Sequence, residues 1–290
     1  MKKSLRSSSK SAFSMLELIF VIVILGIVSS IGAEIIAKVY ESYISQRAIQ
    51  RSSIKVELAA TQLANRLTYA VPGTVIGRRL DDVYLAIDDL PGGTDYRILQ
   101  WIGTDEDSLG VGGWSGFAET STATATSFVS PGSDATTLNS TISSLSYTTK
   151  TSVNAAIFFP DTYTPYTVGY ISGGSDITGV NIVAGTATST FTLAAKATRV
   201  IKEHYKLAWT SYAVVPVNQR GNIFDLELRY NFQPWMGNEH ATGTSQLLIR
   251  NISVFKFMGT GDTTRFKICQ QENIGGDFNI TTCKEKAVIR

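Results

Sequence analysis

Residue types that carry chemistry are few in this chain, and they are scattered. Both histidines follow a glutamate, as Glu203-His204 and Glu239-His240, but neither pair extends to HExxH or to any other metal-ligand spacing. His204 therefore reads as a sheet-face residue and His240 as part of a polar loop. The acid clusters Asp81-Asp82, Asp88-Asp89 and Asp105-Glu106-Asp107 offer oxygen ligands, yet no EF-hand spacing joins them, and they read as solvated turns. The runs GVGGWSGF and ISGGSDITG match no dinucleotide fingerprint, phosphate loop or nucleophile elbow. Cys269 and Cys283 lie near one another, with no second pair and no nearby histidine to complete a zinc site. In an oxidising compartment, a disulfide closing this 15-residue loop contributes roughly 3 kcal/mol; the alternative is two unrelated thiols. No catalytic residue, metal or cofactor is expected. One acid stands apart from the rest. Glu17 is the only charged residue between Phe13 and Ala33. A carboxylate near a bilayer core costs about 2.5 to 3.5 kcal/mol on insertion scales, so it calls for a compensating role.

The elements around these residues set their context. At 290 residues and 43% apolar composition, the chain suffices for one large domain or two ordinary ones with a proper core. Lys2, Lys3, Arg6 and Lys10 precede the apolar stretch, so a formal charge of +2 becomes −2 once these four are set aside. Such a near-neutral body carries no basic cluster, and nucleic acid is not a predicted partner. Phe13 to Ala33 is about the length a helix needs to cross a hydrocarbon core. The cations before it place the N-terminus in the cytoplasm and everything after residue 34 across the membrane. Two other readings compete. A cleaved secretory signal would need its site in Ser29-Ser30-Ile31-Gly32-Ala33, where Ile31 takes a position usually held by a small residue. A plain uncleaved anchor leaves Glu17 without a purpose.

The order Ala12-Phe13-Ser14-Met15-Leu16-Glu17-Leu18, between a basic leader and a long apolar run, resembles the N-terminal signature of type IV pilins and pseudopilins. The resemblance implies cleavage between Ala12 and Phe13 by a membrane-embedded prepilin peptidase, N-methylation of Phe13, and retention of the apolar run. It also implies that Glu17 pairs with the new amine of a neighbouring subunit as a registry device for filament assembly. Two positions depart from the family pattern. Ala12 stands where most members carry Gly, and Glu34 lies in the region where many major pilins have a Pro. Gly26 remains as a weak point in the helix. The implied partners are the peptidase, other pilin or pseudopilin subunits and an inner-membrane assembly platform.

The expected fold is α+β: a long N-terminal helix, its first half transmembrane, packed by its second half on a C-terminal antiparallel β-sheet domain. Residues 1-12 form the leader, 13-34 the filament-core helix, 35-71 its amphipathic continuation and 72-290 the periplasmic head. Ile36, Val39, Tyr43, Leu58, Leu63, Leu67 and Ala70 recur at near-helical spacing, and Pro72-Gly73 ends the helix. Val83 to Ile87 and Tyr96 to Ile102 read as an early hairpin about Pro91-Gly92-Gly93. The Ser/Thr/Gly-rich stretch of about 103-198 reads as a partly ordered β insertion on the sheet, with strands at Ala155 to Phe159, Tyr166 to Ile171 and Ser189 to Leu193. In Ile223 to Phe232, Phe224, Leu226, Leu228, Tyr230 and Phe232 alternate with polar residues, which describes a half-buried strand. Tyr205 to Val217 and Leu247 to Met258 are its expected antiparallel partners, and Gly259-Thr260-Gly261-Asp262 turns the chain into Arg265 to Cys269.

The tail RFKICQQENIGGDFNITTCKEKAVIR resembles the C-terminal regions of some bacterial pseudopilins and minor pilins, where paired cysteines brace the last loop. With 278 residues after the implied cut, the chain is larger than a typical major pilin, and its size points to a minor subunit such as the J-type component of a type II secretion pseudopilus. Trp101, Trp114, Trp209, Trp235 and the run DTYTPYTVGY supply aromatics for subunit contacts or for the core. Asp277 to Thr281 matches an extended acidic glycosylation sequon on Asn279. The expected function is structural, as a filament subunit; the alternative is a membrane-anchored periplasmic ligand-binding module that does not assemble.

Overall fold

The computed structural model describes residues 14–91, 95–147, 150–160, 170, 180–194, 201–275 and 278–289. The chain divides into two units, Met1–Gln50 and Arg51–Arg290, and the helix α1 (Met15–Thr68) contributes to both. Phe13, Gly92, Gly93 and the residues of DTYTPYTVGY before Tyr170 lie outside the described residues.

In the first unit α1 carries no charge from Leu18 to Ala33 and is apolar on every side there. From Met15 to Ile31 every large apolar side chain is at least 52% exposed. A helix apolar all round buries itself in a core or in a membrane, and this one has no core of its own. Among the described residues it is the one helix long and apolar enough to span a bilayer.

In the second unit the remaining turns of α1 bury a single stripe, Ser52, Val56, Ala59, Ala60, Leu63 and Leu67, at the spacing of one helix face. The strands that follow are β1 (Ile76–Arg78), β2 (Tyr84–Ala86), β3 (Ile98–Gly103), β4 (Ser127–Val129), β5 (Ala156–Phe158), β6 (Val180–Ala187), β7 (Thr190–Leu193), β8 (Lys206–Ala208), β9 (Thr210–Arg220), β10 (Ile223–Phe232), β11 (Thr244–Thr260), β12 (Thr263–Gly275) and β13 (Phe278–Ile289). Two further helices are α2 (Glu106–Gly110) and α3 (Ala135–Ser146). An eight-stranded antiparallel sheet runs β13-β12-β11-β10-β9-β3-β1-β2, so the α+β class stands. Val56, Leu63 and Leu67 of α1 pack on Leu99, Trp101, Leu226, Ile249, Ile252 and Ile268 of this sheet.

Several expectations change in detail. The early hairpin does not form: β1 inserts between β2 and β3 and pairs with both, so the segments flanking Pro91 are not neighbours. The insertion does not extend the main sheet either. It builds a second sheet, β4-β7-β6-β5-β8, around its own core of Trp114, Phe128, Leu138, Ile142, Phe191 and Tyr205. Strand β5 joins the two layers by alternation: Ile157 faces the insertion core, whereas Ala156 and Phe158 meet Ile76, Ile102 and Trp235 of the main body. The second sheet also takes in β8, so it closes at Ala208 rather than near residue 198. Tyr170 sits in a turn, and the rest of the proposed strand at Tyr166 to Ile171 is outside the described residues. Strand β10 buries Phe224, Leu226 and Leu228 against α1, as the alternation requires, but Phe232 joins Ile98, Ala213 and Val215 in a separate cluster. A register shift between Arg229 and Phe232, with Asn231 at a φ of 66°, turns the strand over. Asn tolerates this left-handed conformation, and its side chain amide donates to the Ser146 carbonyl at 2.9 Å.

Candidate functional site

At the start of α1, the Ser14 carbonyl accepts from the Glu17 and Leu18 amides, and its Oγ accepts from the Glu17 amide at 3.3 Å. Ser14 is thus the N-cap, and Glu17 occupies the third helical position, where a carboxylate complements the exposed amides and the positive end of the helix dipole. Glu17 is exposed, as are the apolar residues that follow it. The proposed processing pair Ala12 and Phe13 lies outside the described residues. The groups this segment offers among the described residues are a charge at Glu17 and a cap at Ser14.

Cys269 and Cys283 form a disulfide, with Cα atoms 4.0 Å apart. They do not brace a loop, as the sequence suggested. They are directly opposite one another in the β12–β13 ladder, which runs from Thr263↔Ile289 to Gly275↔Phe278. Cys269 is buried and Cys283 exposed. The edge strand β13 is also held to α1 by charge: Lys284 and Lys286 lie 2.7 and 2.9 Å from the Glu57 carboxylate. These two bonds pull the Glu57 pKa down to about 2. Lys286 also donates to Thr61 Oγ1 at 2.8 Å, and Ser52 donates to Gln270 at 3.1 Å.

Among the described residues one cluster of ligand-type groups is present. Asp82, Glu239 and His240 bring two carboxylates and an imidazole within 4.8 Å of one another. Arg78, almost wholly buried, already occupies that space. Its guanidinium donates to Glu239, lies 3.2 Å from Asp82 Oδ1 and 3.4 Å from His240 Nδ1, and sits over the Tyr84 ring. Burial first, then Arg78 and Arg229, lowers the His240 pKa. A second cation would face this fixed guanidinium, so the cluster reads as an ion network pinning the Glu239–Gly243 turn to β1. His204 is elsewhere, exposed and edge-on to Phe117. The two histidines share no site.

The other sequence candidates have structural duties. Asp105 caps α2 by accepting from the Ser108 amide at 3.1 Å, and burial raises its pKa. Asp81 pairs with Arg79 at 3.1 Å. All four tryptophans are buried, so none is an exposed subunit contact. Trp114 donates to the Asp105 carbonyl and Trp235 to the Asn154 carbonyl, which gives these two indoles their partners. Asn279 lies on the exposed side of β13, while Asp277 is outside the described residues. Comparisons with protein families, curated proteins and solved structures give no match for this chain.

Proposed function

We propose that this chain is a structural subunit of a type II secretion or type IV pilus filament, a minor pseudopilin or pilin-like protein that performs no reaction of its own. One observation carries the reading. The Ala12-to-Leu18 signature runs into the start of a helix that carries no charge from Leu18 to Ala33, and that helix continues into the core of an antiparallel β domain. In this reading prepilin peptidase cuts before Phe13 on the cytoplasmic side and methylates the new amine. The subunit waits in the inner membrane with its head in the periplasm, and an assembly platform driven by an external ATPase extracts it into the filament.

Glu17 supplies the registry. A carboxylate and an amine 4 Å apart attract by about 4 kcal/mol at an effective dielectric of 20, enough to favour one axial stagger between neighbouring helices over others. Its place at the helix start serves both roles, since capping leaves the carboxylate exposed. Replacing Glu17 with Ala tests this directly. Loss of filament incorporation with normal oxidation of Cys269 and Cys283 supports the subunit role. Unchanged cellular behaviour favours the second reading, a periplasmic ligand-binding module on a simple anchor.

A further inference from the structure

The second unit has an unfinished sheet edge. Strand β10 pairs with β11 only as far as Phe224↔Ile252, whereas β11 continues to Thr260 with β12 as its sole strand partner. At Gly259 the Ile87–Asp89 turn closes over β11, because a Cβ there would meet Ile87. Between these limits Ser253 to Met258 have no backbone partner on the β10 side among the described residues. Six residues of free edge span about 20 Å. A groove of about 980 Å³ runs beside them.

The two faces of this edge differ in chemistry. Phe255 and Phe257 point to the α1 side, their rings 5.3 Å apart, and Leu90 and Tyr96 extend the apolar wall. On the other face Lys256 is directly opposite Lys267, and Met258 opposite Arg265. All four are exposed. Lys256, Lys267 and Arg265 make no ion pair among the described residues, and Arg97 adds a fourth cation above Phe224. Glu285, opposite Lys267, is the one acid lining the groove. Like charges directly opposite in a ladder are unfavourable, and Glu285 alone among the lining residues is set against these cations.

We infer that this groove binds an extended acidic polypeptide strand, which adds to β11 at Ser253–Met258 with alternate apolar and carboxylate side chains. Strand addition supplies the missing backbone partners, and the pleat then sends every second side chain to each face. Apolar residues of the ligand lie against Phe255, Phe257 and Leu90, and its carboxylates against Lys256, Lys267 and Arg265. The inference does not depend on the filament reading. Lysines on an edge strand otherwise serve only to repel unwanted pairing, and the test separates the two roles.

The probe is a fluorescein-labelled decapeptide of alternating valine and glutamate, titrated with the full chain in neutral detergent and followed by anisotropy. Saturable binding is expected, weakened about tenfold or more by Lys256→Glu. That substitution places an acid opposite Lys267, so the melting temperature holds or rises while binding falls. Two further peptides carry N-methyl groups on either the valines or the glutamates. Strand addition requires that one of them loses binding and the other retains it. The inference is overturned by an absence of binding, by equal binding of both methylated peptides, or by equal binding of a valine–lysine peptide. Tighter binding of single-stranded oligothymidylate than of the acidic peptide also overturns it, and assigns the cations to a general polyanion patch.

Discussion

Removing the disulfide with Cys269→Ala/Cys283→Ala tests how the last two strands are held. The cysteines are 14 positions apart in sequence, and loop-closure entropy for the enclosed segment gives the bond roughly 3 kcal/mol. Alanine is the appropriate replacement because Cys269 is almost fully buried, and a serine hydroxyl there would add an unrelated desolvation cost. For a unit the size of Arg51–Arg290, 1 kcal/mol moves the midpoint by about 2–4 °C, so the expected loss is about 6–12 °C. Thermal unfolding of the full chain in detergent, followed by circular dichroism, measures it, and a reductant should lower the wild-type midpoint to the same value. A fall below about 2 °C would refute the argument. It would mean that the ladder and the lysine clasp on Glu57 already restrict this segment when the bond is absent.

Three further outcomes follow from the same packing. Leu63→Ala, at 1% exposure, should cost about 2–5 kcal/mol in urea unfolding, and Leu58→Ala, at 59% exposure, about 0.5 kcal/mol or less; equal costs would contradict the assigned helix face. The depressed Glu57 pKa gives stability that is present above its ordinary value of 4.5 and lost as pH falls toward about 2, so Glu57→Gln should flatten the urea midpoint over that window. A wild-type acid limb retained in the variant would assign it to other carboxylates. Arg78→Met should raise the His240 pKa toward its ordinary value, because one of the charges holding it down is removed; an unchanged imidazole titration by NMR would contradict the ion network.

What the sequence made legible depended on how far each signal extended along the chain. The helix expected from Phe13 to about Tyr69 is present as Met15–Thr68, because a long stretch without proline and with one apolar face leaves little choice. The Ile223–Phe232 strand was equally clear, since ten residues of alternation outweigh local noise; of the partner expected at Tyr205 to Val217, the part from Thr210 pairs with it, whereas Lys206–Ala208 joins the second sheet. Three-residue strands carry no such pattern. Ile76–Arg78 contains a glycine and a buried arginine, so nothing in it announced the strand that separates the expected hairpin. Helix α3 was hidden by its Ser/Thr content, which lowers helix propensity. Its available signal was the Asp134 cap, which accepts from the Thr136 and Thr137 amides, followed by Leu138 and Ile142 one turn apart. Strand β13 was missed for another reason. Its α1-facing side presents Lys284 and Lys286 to Glu57 and only Val288 to the core, so its alternation is mainly of charge partners and not of hydropathy. The Arg78–Glu239 contact spans 161 positions, and only the folded chain brings those residues together.

The central claim rests on what happens at Ala12 and Phe13, and the most direct test is the N-terminal residue and intact mass of the protein from membranes of cells with and without prepilin peptidase. A chain beginning at N-methylated Phe13 only when the peptidase is present is the predicted result. An intact Met1 in both strains, or a chain beginning after Ala33, would contradict the account and leave a β domain that is simply anchored or secreted.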